Sequence, residues 1–82
     1  MRVAVDISLY PIRDEFIPPI DDVITRLNGH SSIEVKTNAM STQLFGEYDD
    51  VMNALNKEIR TTFDMLPTAV FAIKILNNPM ES

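Results

Sequence analysis

Arg2-Val3-Ala4-Val5-Asp6-Ile7-Ser8-Leu9-Tyr10, closed by Pro11, is the stretch that decides the fold. Val3, Val5, Ile7 and Leu9 alternate with Ala4, Asp6, Ser8 and Tyr10, the period of two that sends successive side chains to opposite faces of a sheet. One face is apolar throughout, which predicts a central strand with helices packed over that side. Asp6, Ser8 and Tyr10 then share an opposite, open face. Pro11 has no amide hydrogen to give to a ladder, so the strand stops there.

Outward from this strand, Phe16, Ile17, Ile20, Val23, Ile24 and Leu27 recur as the stripe of an amphipathic helix. Asp14 is a candidate N-cap. Pro18 and Pro19 fit only a first helical turn, where their missing amide hydrogens would have no partner, so the helix starts as late as Ile17. Asn28-Gly29 ends it, with Gly29 available for a left-handed C-cap. Residues 33–38 and 41–47 alternate again and are joined by a short turn, which predicts an antiparallel hairpin. In it Leu44 faces the helices, while Ser41, Gln43 and Phe45 face the open side. Gly46 marks the end of the third strand. Asp49 or Asp50 caps a second helix whose stripe is Val51, Met52, Leu55, Ile59, Thr62 and Phe63, and which ends before Pro67. Residues 69–76 form a fourth strand with Ala69, Phe71, Ile73 and Ile75 on one face.

The order strand, helix, strand, strand, helix, strand, with right-handed crossovers, gives an α+β ferredoxin-like βαββαβ sandwich. Its four-stranded antiparallel sheet carries two helices on one face. Residues 1–77 read as one domain and 78–82 as a polar tail.

Composition narrows the function. A net charge of −5 disfavours a nucleic-acid binder, which needs a basic stripe along the phosphates. The absence of cysteine removes thiolate nucleophiles, thiolate metal sites and disulfides. Charges interrupt every apolar run well short of the roughly 20 residues that span a bilayer. Asp6 sits where a signal peptide would be apolar, so the expected location is the cytoplasm. At 82 residues the core is thin, and a second copy of the chain is the expected source of extra burial, as a twofold dimer or a tetramer.

Asp6, Ser8, Tyr10, Asn38, Ser41, Gln43 and Phe45 would gather on the open face. A hydroxyl, an amide, an aromatic ring and a carboxylate together suit a small planar heterocycle. The competing reading is a solvated polar face with Tyr10 and Phe45 in a subunit interface. Catalysis finds little footing: His30 is the only histidine and follows a helix end, and Asp21-Asp22 and Asp49-Asp50 sit near helix N-termini, where negative charge is favoured anyway. Neither acidic pair has the alternating pattern of a calcium loop, and two isolated glycines build no phosphate cradle, so no metal or cofactor is expected. An acyl-phosphate hydrolase, with Arg13 and Asn38 as an anion site, lacks the glycine-bearing loop that would meet the phosphate oxygens.

Ser8-Leu9-Tyr10-Pro11 followed by Asp14-Glu15-Phe16, then Asn38-Ala39-Met40-Ser41-Thr42 and Gly46 ahead of Val51, resembles the thiamine/hydroxymethylpyrimidine-binding YkoF-like family. It is also similar to related small thiamine-binding proteins with an Asn-x-Met-x-Thr pattern at the third strand. The resemblance spans nearly the whole chain. It implies a ferredoxin-like fold that binds thiamine or its pyrimidine moiety without transforming it, in salvage or transport of the vitamin. It carries Ser8, Tyr10, Ser41 and Thr42 over as ligand-binding positions; Asp6, Asn38, Gln43 and Phe45 come from the face argument. YkoF-like proteins can hold two such units in tandem. This chain holds one, which favours a homodimer that restores the pair. A structural or regulatory oligomerisation domain without a ligand is the alternative.

Overall fold

The computed structural model describes residues 1–12 and 17–79. The elements follow as β1 (Arg2–Tyr10), α1 (Ile17–Asn28), β2 (Glu34–Thr37), β3 (Thr42–Glu47), α2 (Tyr48–Met65) and β4 (Val70–Asn77). The sheet order is β2-β3-β1-β4, so β1 is central, and it pairs antiparallel with β3 on one side and β4 on the other. This is the ferredoxin-like α+β sandwich. Val3, Val5, Ile7 and Leu9 are all buried and join Leu44 beneath Val23 and Leu27 of α1 and Val51 and Leu55 of α2, which puts both helices on one face.

Three local expectations change in detail. Gly29 does not take a left-handed conformation; α1 closes instead with tight bonds in which Gly29 N donates to the Arg26 carbonyl and His30 N to the Leu27 carbonyl. Gly46 does not break β3. It is buried within the strand, where a Cβ would meet Val51 Cγ2 at 3.3 Å and Ile33 Cγ2 at 3.4 Å, so its role is close approach of the next helix. Glu47, not an aspartate, stands at the N-cap of α2, and the first amide of the helix, Tyr48 N, donates to the Met1 carbonyl at 2.8 Å. Asp49 and Asp50 lie in the first turn, favourably placed against the helix dipole. The cap suggested at Asp14, and Phe16 of the stripe, lie outside the described residues.

The two helices are fixed to each other by a polar network that no periodicity announced. Arg26 spreads its guanidinium over four groups: Nε donates to Asp22 Oδ2 at 3.0 Å, Nη1 to Glu58 Oε1 at 2.8 Å and to the Glu58 carbonyl at 3.2 Å, and Nη2 to Thr62 Oγ1 at 2.8 Å. The second oxygen of Glu58 accepts from His30 Nε2 at 2.6 Å. An ionised carboxylate has no hydrogen to give, so the imidazole must hold its proton on that nitrogen. His30 is thus largely covered and engaged. Glu58 is only 4% exposed. Burial by itself raises its pKa, but the hydrogen bonds and positive charge of His30 and Arg26 outweigh burial and hold the carboxyl below its usual 4.5.

Two outcomes follow from a buried carboxylate in this state. Glu58→Ala should lower unfolding free energy in urea by about 3 to 5 kcal/mol, because the partly buried Arg26 and His30 lose the buried carboxylate they share. A folded-state pKa below the unfolded one gives stability that is complete above the usual carboxylate value and is lost as pH falls through the lowered one. Urea titrations from neutral pH into the acid range should show that loss, and Glu58→Gln should flatten it.

Candidate functional site

The end of β1, the turn between β2 and β3, and the inner side of α1 enclose a cavity of about 500 Å³. Its walls are apolar: Ile7 and Leu9 from β1, Ile20, Val23, Ile24 and Leu27 from α1, and Phe71 from β4. The polar lining comes from the β2–β3 connection and its flanks, as Thr37, Asn38, Ser41 and Thr42, and from Ser8 and Tyr10 of β1. No described lining residue carries a formal charge. A second, smaller cavity of about 330 Å³ lies between the helices beside Arg26, whose guanidinium is already taken up by the network above.

The polar rim is built by local rules. Asn38 Oδ1 accepts from Met40 N at 2.8 Å and Ser41 N at 3.1 Å, and Asn38 N donates to the Ser41 carbonyl at 3.0 Å. This side-chain mimic of a backbone turn is what asparagine supplies in short connections. It fixes the amide with its nitrogen as the remaining donor. Met40, at the tip, is 87% exposed. Across the mouth, Ile12 follows Pro11 with φ 54°, a left-handed conformation that costs a β-branched residue roughly 1 to 2 kcal/mol.

Of the residues singled out from sequence, Ser8, Tyr10, Asn38, Ser41 and Thr42 come together at this cavity. Asp6, Gln43 and Phe45 do not line it. They lie on the open sheet face, where the register sets Lys36, Gln43, Asp6 and Lys74 in one row across the four strands. Asp6 touches the rim from behind: Ser41 Oγ donates to Asp6 Oδ2 at 3.1 Å. Lys36 Nζ stands 5.3 Å from the centre of the Phe45 ring. The cavity opens on the helix side of β1 rather than on the face where the sequence argument gathered its polar residues. Ile20, Ile24 and Phe71 were legible as core stripes, yet nothing in the spacing marked them as walls of a hollow. Thr37 falls within the second strand predicted over residues 33–38, and its alternation carries no mark of a site. Arg13, weighed for an anion site with Asn38, lies outside the described residues.

Comparison with known proteins adds kinship. The family profile described as thiamine-binding protein matches residues 5–81. A hypothetical protein of Methanocaldococcus jannascii superposes with a TM-score of 0.82 at 22% identity, covering 99% of this chain and 84% of its own. A protein of Streptococcus pneumoniae gives 0.77 at 17% identity, covering 98% and 90%. A Thermotoga maritima protein described as a candidate thiamine biosynthesis/salvage protein gives 0.69 at 18% identity, covering 92% and 82%. At these identities the three share the fold. No curated protein matches the chain.

The Asn38 turn makes its own prediction. Asn38→Ala should cost about 1 kcal/mol of stability, the net worth of such hydrogen bonds. Amide exchange at Met40 and Ser41 should quicken while β1 and α2 stay protected.

Proposed function

The chain belongs to the thiamine-binding protein family, and from that premise we propose that it binds thiamine or the hydroxymethylpyrimidine part of thiamine, without transforming it, in the cavity under α1. One observation carries the reading: a cavity of about 500 Å³ with apolar walls, whose described lining residues carry no formal charge and whose polar lining includes Ser8, Tyr10, Asn38, Ser41 and Thr42. A pyrimidine has two apolar ring faces and hydrogen-bonding groups around its edge, and walls of Ile7, Ile20, Ile24 and Phe71 suit the former as the rim suits the latter. Tyr10, 54% exposed, is available to lie against the ring at the mouth. The protein acts in the cytoplasm, in salvage or transport of the vitamin. Among the described residues no helix is long and apolar enough to cross a membrane.

The same proposal includes a second copy of the chain over the open sheet face. Val70, Ala72 and Leu76 share that face with Asp6, Gln43 and Phe45, and Val70 and Leu76 are at least half exposed. Asp6, Gln43 and Phe45 then belong to the interface, and a tetramer is the larger assembly such faces allow.

Calorimetric titration tests the ligand. Thiamine and hydroxymethylpyrimidine should bind, and thiamine diphosphate should bind more weakly, because its anionic groups would be desolvated against described lining residues that carry no charge, in a chain of net charge −5. Tyr10→Ala should weaken thiamine by about 1 to 3 kcal/mol with folding retained. No heat and no rise in melting temperature with any of the three would favour the ligand-free interaction domain instead. Sedimentation at micromolar concentration should show no monomer; a stable monomer that binds thiamine would overturn the interface.

A further inference from the structure

Three polar side chains are buried among the described residues, Thr42, Glu58 and Thr62, and two of them are explained by Arg26. Thr42 is not. It is 5% exposed and occupies the next inward position after Leu44 on β3, opposite Thr37, which follows Val35 on β2. Thr37, on the edge strand β2, is exposed, but alternation asks for an apolar residue at the buried position of Thr42, and valine has the same shape as threonine. A hydroxyl there is costly unless it is used. Among the described residues the two hydroxyls meet only each other, Oγ1 to Oγ1 at 3.2 Å, with either one able to donate.

We propose that the Thr37–Thr42 hydroxyl pair is the specificity determinant of the cavity, reading the nitrogen-bearing edge of a pyrimidine by its presence and not by its donor–acceptor order. This rests on the ligand reading above. A hydroxyl has one donor and two lone pairs, so the mutual bond leaves the pair one donor and spare acceptors. An aminopyrimidine edge offers a donor beside an acceptor, and a 4-oxopyrimidine edge offers the reverse. Rotating both hydroxyls exchanges which threonine donates, so the pair matches either edge. Its neighbours on the rim lack that freedom: Asn38 Oδ1 is held by two backbone amides, and Ser41 Oγ donates to Asp6. Ser8 and Tyr10 alternate with the inward residues of β1 and so stand across the strand from the pair. A ring without the nitrogen edge would leave the buried Thr42 hydroxyl facing hydrocarbon and be rejected on that account.

Calorimetry on the full chain decides it, with thiamine, its 4-oxo analogue and a benzylthiazolium analogue in which a phenyl ring replaces the pyrimidine. Wild type should bind thiamine and the 4-oxo analogue within about tenfold of each other and the benzyl analogue at least tenfold more weakly. Thr42→Val and Thr37→Val should each weaken the two heterocycles by about tenfold or more and leave the benzyl analogue unchanged, and Thr42→Ser should restore binding. Melting curves confirm that each variant folds, as an isosteric change should allow. Unchanged thiamine binding in Thr42→Val, or a hundredfold preference of wild type for one heterocycle, overturns this inference alone. Absence of thiamine binding in wild type overturns the ligand reading and this inference with it.

Discussion

Every part of the molecule depends on β1 having both edges paired. With β3 on one side and β4 on the other, its backbone hydrogen bonds are satisfied inside the sheet, and its side chains can point only to the two faces. Val3, Val5, Ile7 and Leu9 then form the floor on which both helices rest. The same constraint places the last residues of the strand beside the β2–β3 turn, because Ile7 is in register with Thr42. One strand thereby fixes the core along its length and one end of the cavity at its terminus.

The helices need more than that floor. α1 is 12 residues long and loses its first-turn amide hydrogens to two prolines, too little to be stable by itself. It packs on the sheet through Val23 and Leu27 and is tied to α2 through Arg26. The guanidinium is suited to this work, since its planar fork meets a carboxylate and a hydroxyl at once, and the buried Glu58 is offset by two donors instead of one. Anchored there, α1 holds Ile20 and Ile24 over the cavity without closing onto the sheet.

That hollow has a cost, since well-packed interiors leave few voids larger than a water molecule. A domain of 82 residues has little stability to spare. The left-handed Ile12 and the buried hydroxyl of Thr42 lie at the same end of the molecule and add to that cost. Departures from local rules that cluster in one place are the usual mark of a region selected for binding rather than for stability.

The element order, the apolar face of β1, the inward position of Leu44 and the stripes of Ile20, Val23, Leu27, Val51 and Leu55 could all be read from the sequence. Each is a periodic signal within a single element, set by backbone geometry that every chain shares. Tertiary structure alone decided the rest. Arg26, His30, Glu58 and Thr62 are 28 to 36 residues from their partners, and a buried glutamate in a helix looks in sequence like any solvated one. The cavity was hidden for the same reason. Whether Ile20, Ile24 and Phe71 fill a core or wall a hollow depends on the distance between α1 and the sheet, and that distance is fixed by contacts among side chains remote in sequence.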